Sequence, residues 1–176
     1  TAIANLNDDA FPELIYWGTN VGLVALDHQG RCLWQARRVV SSNITPTMDC
    51  PSAIQVPDIS VFSAGSYRGL VVADITGDGQ PRIVIGNRIN SDDPVRNRVL
   101  AFTKDGTPMW SVPAQLSSGA SVRVNQINAF DFTGNGVMEL VVTGVNGTVI
   151  LDGRDGSTLF EIPANDENPG LGTASG

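Results

Sequence analysis

Short apolar runs and polar, glycine-containing turns alternate along most of the chain. The clearest example spans Ala129 to Gly144, where an acidic loop containing Asp131 and Glu139 separates two apolar runs. Apolar runs of this length, bounded by Gly, Asp and Asn, predict β-strands joined by tight turns. We therefore predict an all-β protein in which acidic loops join successive strands.

The pattern of strand, acidic loop and strand occurs three times. It starts near Ile3, Gly69 and Ile127, and two further apolar runs follow the second strand of each copy. The repeat period of several tens of residues is typical of propeller blades. One antiparallel blade cannot bury both of its faces, whereas blades stacked around an axis can. The repeats therefore predict part of a β-propeller, with about three four-stranded antiparallel blades.

These repeats define the expected organisation of the chain. A stretch between the first two copies is rich in Pro and lacks alternation, which predicts an inserted loop. Because closed propellers typically have about four to eight blades, we expect further blades in a longer parent chain or association of several copies. The predicted segments are a first blade at residues 1–40, an inserted loop at 41–62, a second blade at 63–113, a third blade at 120–163, and a tail or the start of another blade at 164–176.

The composition agrees with a globular protein and narrows its partners. The 176 residues are 41% apolar and 16% charged, with a formal net charge of −7. Nucleic acids and anionic membranes bind clustered Lys and Arg, so an acidic chain favours cations instead. No apolar run reaches the length of a membrane helix, and the N-terminal residues predict a strand rather than a signal peptide. We expect neither a nucleic-acid partner nor membrane insertion.

The chain has two cysteines, Cys32 and Cys50, and one histidine, His28. The cysteines lack the paired spacing of a zinc site, which excludes a Cys/His metal centre. An oxidising compartment would permit a disulfide, and a reducing one would leave two buried thiols. Both alternatives stay open at this point, and we favour the disulfide, which would tie the inserted loop to the first blade.

Two of the acidic loops carry a family resemblance. The segments Asp74–Gly79 (DITGDG) and Asp131–Gly136 (DFTGNG), each followed by an apolar strand, resemble the FG-GAP and VCBS repeats. These repeats build integrin-α-like β-propellers and many bacterial surface proteins. The resemblance implies that each loop joins the first two strands of a blade. It also implies that the loop holds Ca²⁺ through side chains at positions one, three, five and nine and the carbonyl at position seven.

Carried over residue by residue, the resemblance ranks the third loop first, then the first loop, then the second. The first loop lacks an acid at position one. The second loop has Arg82 at position nine, where a guanidinium would pair with Asp74 or Asp78 and replace the ion. The implied calcium ligands are Asp131, Thr133, Asn135, Val137 and Glu139 in the third loop, Asn5, Asn7, Asp9, Phe11 and Glu13 in the first, and Asp74, Thr76, Asp78 and Gln80 in the second.

Two other structures could produce acidic, glycine-containing loops of this kind. Asp and Asn cap tight turns through hydrogen bonds to the main chain without any metal. An EF-hand would need helical flanks and a Glu at the twelfth position, where Val142 or Ile85 stands within an apolar run. The sequence therefore excludes the EF-hand and leaves the metal-free turn as the alternative.

Three aromatic residues occupy equivalent positions in the copies, Trp34, Trp110 and Phe160. A core position recurs in every repeat, whereas a ligand site usually does not, so the recurrence favours packing between blades over sugar binding. Trp17 lies outside this series and is more open to a surface role.

Taken together, these features predict an extracellular or cell-surface calcium-binding β-propeller module for adhesion, surface assembly or ligand display. The expected partners are a protein or glycan ligand at the blade-end loops, or copies of the chain itself. No nucleophile elbow or phosphate-binding loop occurs, so we assign no catalytic residue and favour a non-enzymatic role. The alternative is the propeller domain of a polysaccharide lyase or another carbohydrate-active enzyme.

Overall fold

A computed structural model gives the arrangement of most of the chain. The larger part of the predicted inserted loop and nearly all of the predicted tail lie outside the residues that it describes. The described residues are 1–7, 9–18, 21–38, 50, 53–56, 66–88, 93 and 96–164.

These residues form thirteen β-strands and contain no helix. In this part of the chain there is accordingly no helical segment that could cross a membrane. The prediction of an all-β protein is confirmed. The strands are β1 (Ala2–Ala4), β2 (Glu13–Gly18), β3 (Gly22–Leu26), β4 (Cys32–Arg38), β5 (Ala53–Val56), β6 (Ser66–Ala73), β7 (Arg82–Arg88), β8 (Arg98–Phe102), β9 (Pro108–Pro113), β10 (Val124–Phe130), β11 (Glu139–Gly144), β12 (Gly147–Leu151) and β13 (Thr158–Pro163).

The strands form three sheets, one for each predicted blade. Their orders are β1-β2-β3-β4-β5, β6-β7-β8-β9 and β10-β11-β12-β13. Successive strands within each blade pair antiparallel, as expected where short loops join sequence neighbours. The first strands of the three blades lie together, since β6 contacts both β1 and β10. The structure therefore confirms blades built from four-stranded antiparallel meanders.

The first blade differs from the prediction by a fifth strand. Residues 53–56, within the predicted inserted loop, form β5 and pair parallel with β4. The exposed edge of β4 offers unpaired N–H and C=O groups, and the β-branched Ile54 packs on the core beside them. Cys32 and Cys50 form a disulfide, so the predicted bridge between the first blade and the insertion is confirmed.

Two apolar cores lie between the blades. The first core joins the first and second blades, and the second core joins the second and third. Strand alternation sends Ile83 and Ile85 of β7 to the first core and Val84 to the second, so the middle blade is apolar on both faces. Stacking therefore buries both apolar faces of the middle blade, which a single blade could not bury.

Each joint between blades is centred on a tryptophan. The indole of Trp34 donates from Nε1 to the carbonyl of Lys104 (3.0 Å), and that of Trp110 donates to the carbonyl of Gly153 (3.0 Å). The prediction that these residues pack between blades is confirmed. It is wrong for Phe160 in this chain, because its side chain is 58% exposed.

Candidate metal centre

The three acidic loops occupy the same place in their blades. Each joins the first two strands, and position nine of each loop pairs with the residue just before position one: Glu13 with Ala4, Arg82 with Ala73, and Glu139 with Phe130. The first, second and third acidic loops are residues 5–13, 74–82 and 131–139. Local sequence therefore places the predicted ligands of each loop within one tight turn.

The third acidic loop is folded around the carboxylate of Asp131. Its Oδ1 accepts hydrogen bonds from the main-chain N–H groups of Gly134 (2.6 Å) and Asn135 (3.2 Å), and its Oδ2 accepts one from Gly136 (2.9 Å). These donors, that of Gly136 first, hold the pKa of Asp131 below its usual range although burial opposes them. The Asn135 side chain accepts the N–H of Val137 (2.7 Å). A charged carboxylate thus organises the turn.

Glu139 lies beneath the same loop and is 4% exposed. Its Oε2 accepts the main-chain N–H of Phe132 (2.7 Å), and its Oε1 accepts the hydroxyl of Thr133 (3.2 Å). The structure therefore brings two of the predicted ligands, Thr133 and Glu139, into direct contact.

The first acidic loop repeats this arrangement at position nine. Glu13 is fully buried, and its Oε2 accepts the N–H of Leu6 (2.6 Å), as Glu139 accepts that of Phe132. Its other oxygen, Oε1, is buried and has no hydrogen-bond partner among the described residues. A buried carboxylate oxygen without a donor is costly, and it is therefore a site that a cation would satisfy.

The remaining predicted ligands of the first loop surround Asp9. The side chain of Asn5 donates to the Asp9 carbonyl (2.5 Å), and Asn7 accepts the Asp9 N–H (3.0 Å). The Asp9 carboxylate accepts the N–H of Phe11 (2.7 Å), which matches the bond from Val137 to Asn135 in the third loop. The two loops therefore share the contacts between positions five and seven.

In the second acidic loop the carboxylate of Asp74 takes the organising role. Its Oδ1 accepts the N–H of Gly77 (2.8 Å) and also contacts Thr76, while its Oδ2 accepts the N–H of Gly79 (2.6 Å). Burial raises the pKa of Asp74, but the main-chain donors, with Gly79 foremost among them, outweigh it and leave the pKa below its usual range.

An arginine fills the centre of the second loop. The Arg82 guanidinium donates to Asp78 Oδ2 (2.6 Å) and to the carbonyl of Gln80 (3.0 Å). These are the groups at positions five and seven, two of the ligands that the family resemblance implies. The N–H of Gln80 first and then Arg82 hold the pKa of Asp78 below its usual range. An internal cation therefore occupies this loop.

The donor set suits a hard cation better than a soft one. Within the described ranges, no three carboxylate, imidazole or thiol groups converge on one point. The predicted ligands of each loop include two acidic side chains together with amide, hydroxyl or main-chain oxygens, and calcium accepts all of these. The unpartnered Glu13 Oε1 and the placement of Arg82 both fit a cation inside such a loop.

Sequence reasoning missed two features of the site. One is the main-chain N–H at position two, from Leu6 or Phe132, which holds the buried glutamate in place. The other is the contact between loops, since a Cβ at Gly77 would lie 3.1 Å from the Val137 side chain. The bond to the main-chain N–H has a signal in the sequence, since an acidic residue follows the apolar residue at position two by seven residues. The contact between loops has no such signal, because it depends on how the blades stack.

Comparisons with known proteins bear on the fold and the repeat. Residues 74–142 match the family model of the FG-GAP-like repeat. Curated proteins, in contrast, yielded no match.

Several solved structures show limited similarity to this chain. The rhamnogalacturonan lyase PL11 of Bacillus licheniformis is 22% identical over 63% of this chain and 25% of its own, with a TM-score of 0.41. The exotype rhamnogalacturonan lyase YesX is 16% identical over 91% of this chain and 32% of its own (TM-score 0.41). The V. cholerae biofilm matrix protein Bap1 is 18% identical over 92% of this chain and 28% of its own (TM-score 0.37).

This chain thus spans about a third or less of the length of those proteins. Likeness at this level says nothing about activity or ligand. The family match is independent of these structures, and it covers the second and third acidic loops. The chain carries FG-GAP-like repeat sequence across residues 74–142, and the resemblance predicted from those loops is confirmed over these residues.

Proposed function

We propose that this chain is an extracellular calcium-binding β-propeller module that holds a protein or glycan ligand at its blade-end loops. Its role would be adhesion, surface assembly or ligand display. Two features support this function: the blade architecture and the chemistry of the acidic loops.

The observation that carries the proposal is the position of Arg82. Its guanidinium contacts the carboxylate at position five and the carbonyl at position seven of its loop. The fold of the loop therefore directs oxygens at a point where positive charge is stabilised. The first and third loops join the same strands in the same register, but Glu13 and Glu139 stand at position nine instead of Arg. In the proposal, a bound Ca²⁺ supplies to those two loops the positive charge that Arg82 supplies to the second.

The residues of the first and third loops would hold that cation in similar ways. Glu13 and Glu139 are buried and fixed by a main-chain N–H, so each presents its second oxygen at little further entropy cost. Asp9 and Asp131 supply the other negative charges. A bound Ca²⁺ would neutralise the repulsion between carboxylates and accept the remaining carbonyl oxygens.

Calcium at these sites would be structural. The loop joins the first two strands of a blade, so fixing it also fixes the neighbouring loops at the same end of the stack. A ligand that binds pre-ordered loops loses less conformational entropy than one that must order them. The disulfide between Cys32 and Cys50 supports an oxidising, extracellular setting.

Isothermal titration of the metal-free chain with calcium tests the proposal. We expect two sites, one in each loop with a glutamate at position nine. Glu139→Gln should remove one site and Glu13→Gln the other, because Gln keeps the shape and loses the charge. Glu161→Gln, which changes a carboxylate outside the loops, is the matched control and should keep both sites. Absence of heat, together with a melting temperature that calcium and chelator leave unchanged, would overturn the proposal.

A second assay separates display from catalysis. The same preparation is incubated with uronic-acid polymers, and formation of unsaturated products is followed by absorbance. A parallel screen measures binding to glycan and protein arrays. Binding without turnover is the expected result, whereas turnover would support the carbohydrate-active alternative.

A further inference from the structure

The joint between successive blades has the same construction twice in this chain. An aromatic ring on the fourth strand of one blade lies over the hairpin turn between the third and fourth strands of the next blade. A Cβ at Gly106 would lie 2.6 Å from the Trp34 ring, and a Cβ at Gly156 would lie 2.9 Å from the Trp110 ring. Both glycines have a positive φ, at 82° and 76°. We call this arrangement the blade joint.

Phe160 occupies the aromatic position of the blade joint in the third blade. Trp34 pairs with Ala25, Trp110 with Ala101, and Phe160 with Ile150, in each case directly after a shift in strand register. The three residues are therefore equivalent in structure as well as in sequence. Among the residues that the structure describes, no turn lies over Phe160, which is 58% exposed.

The face around Phe160 is the uncovered half of a joint. Phe130 and Ile162 lie on it and are 59% and 52% exposed. Their equivalents in the second blade, Ala73 and Val112, pack against the core shared with the third blade. Residues that a following blade covers in the second sheet are thus open in the third.

The first blade presents the complementary half. Its hairpin turn contains Gly30, with φ at 78°, and no described atom lies within 4 Å of a Cβ placed there. On the same face Ile3 and Leu14 are 71% and 38% exposed. Their equivalents Val72 and Ile83, in the second blade, pack in the core shared with the first blade. In the second blade, the equivalent turn and apolar residues contact the preceding blade. In the first blade, they are exposed.

We propose that the third blade of one copy docks on the first blade of a second copy of this chain, with Phe160 over the turn that contains Gly30. The contact would continue the joint already used twice within the chain. Two copies would bring together six blades, within the range of about four to eight found in closed propellers. Because the two contacting faces differ, the association is head-to-tail. It gives a closed ring when the rotation from blade to blade brings the remaining free faces together. The inference depends on blade geometry and not on calcium.

The chemistry of the joint predicts how its strength can be changed. Trp34 and Trp110 each donate an indole N–H to the second residue of the facing turn, Lys104 or Gly153. His28 occupies that position in the first blade. Phe160 has no N–H to donate, so the proposed contact lacks this hydrogen bond. Phe160→Trp should therefore strengthen association, by about tenfold for one hydrogen bond of ordinary strength.

Sedimentation velocity of the full chain tests the proposal. Wild type should shift from one copy to two, or to a longer head-to-tail series, as its concentration rises. The range should extend to about 1 mM, where even a contact of millimolar affinity is visible. The measurement is made with calcium and again with chelator, so that failure of the calcium proposal does not affect the outcome. A single copy at all concentrations would overturn the proposal.

Matched variants locate the contact. Phe160→Glu should weaken association by at least about tenfold, as expected for a central aromatic residue, whereas Val145→Glu, at an exposed site in the turn between β11 and β12, should leave it unchanged. Gly30→Asn keeps a residue that tolerates positive φ but fills the space for the ring, so it should also weaken association. Gly119→Asn is its control, since Gly119 has φ at 86° and an equally open Cβ position.

Mixing the two weakened variants tests the head-to-tail geometry. A copy with Phe160→Glu still has an intact Gly30 turn, and a copy with Gly30→Asn still has an intact Phe160 face. Together they should form one good joint, so the mixture should associate more strongly than either variant does alone. Association of either variant at wild-type strength, or failure of the mixture when wild type associates, would contradict the proposal.

Discussion

At the scale of single residues, position nine of the acidic loops determines where positive charge comes from. Glu13 and Glu139 are buried there and bonded to a main-chain N–H, whereas Arg82 reaches back to Asp78 and Gln80. The same backbone position thus carries either an anion or a cation. Because the neighbouring oxygens are similar in all three loops, a substitution at position nine of the second loop should replace the internal guanidinium with a bound calcium ion.

Arg82→Glu should create a third calcium site. The change removes the guanidinium from Asp78 and the Gln80 carbonyl and supplies the carboxylate that the other loops have. We expect the calcium stoichiometry by isothermal titration to rise by one. Without calcium the variant should melt below wild type, because Glu would then face Asp78. Arg96→Glu, an exposed change outside the acidic loops, is the control. A folded Arg82→Glu variant with unchanged stoichiometry would refute this role for the loop.

A second residue-scale prediction concerns the turn between β12 and β13. Hydrogen bonds from the Arg154 side chain hold the pKa of Asp152 below its ordinary value of 3.8, although burial opposes them. A carboxylate with a lowered folded pKa contributes stability above its unfolded pKa and loses that contribution as the pH falls through the folded pKa. Asp152→Asn should therefore be less stable than wild type at neutral pH, and the difference should shrink as the pH falls below 3.8 and vanish only below the folded pKa. Urea denaturation across this range measures it, and a difference that stays constant with pH would contradict the assignment.

At the scale of elements, glycines mark where strands and connections pass closely. A Cβ at Gly144, the last residue of β11, would overlap the main-chain carbonyl of Val122 and would lie 2.6 Å from that of Arg123. Gly18 ends β2 at the equivalent place, but there the nearest described atoms to a Cβ belong to side chains, that of Val21 at 3.3 Å and that of Tyr16 at 3.7 Å. Two glycines at the same place in the repeat therefore carry different constraints.

Gly144→Ala should destabilise the protein by about 1–3 kcal/mol or more, because main-chain atoms have to move to admit the methyl group. Gly18→Ala, the matched substitution, should change the free energy of unfolding much less, since the side chains of Val21 and Tyr16 can shift. Chemical denaturation of the two variants gives the comparison. Equal losses would show that the close approach of residues 122–123 to β11 is not rigid.

At the scale of the whole molecule, each blade depends on its neighbours. The two cores lie between blades, and the middle blade contributes to both. In such stacks the stability is approximately a sum of repeat terms and interface terms. Among the described residues, no further blade covers the outer faces of the first and third blades in a single copy, so those faces add no interface term.

Trp34→Ala should therefore cost about 3–5 kcal/mol, as for other buried large aromatic side chains, while Phe160→Ala should be nearly neutral in dilute solution. Trp34 is 5% exposed and bonded to the next blade, whereas Phe160 is open. Denaturation at low protein concentration measures both values. Similar losses for the two variants would mean that Phe160 is packed within a single copy.

Much of the architecture follows from local sequence. Period-two alternation and Gly-rich turns specify strands because they depend on residues close together in the chain, and the repeat specifies the number of blades. The Asp at position one specifies its turn, because Asp74 and Asp131 accept N–H groups only a few residues away. The FG-GAP repeat was recognisable for the same reason.

Other features depend on residues far apart in sequence. Ala53–Val56 forms β5 because the edge of β4 is available to it, which the Pro-rich composition around it does not reveal. Trp34 and Phe160 occupy equivalent positions in the sequence repeat. They differ because a turn 70 residues away covers the Trp34 ring, whereas no turn among the described residues covers Phe160. Strands and acidic loops are thus local consequences of the sequence. The exposed half-joints and the unpartnered oxygen of Glu13 arise only when the blades stack, because burial is a property of neighbours in space.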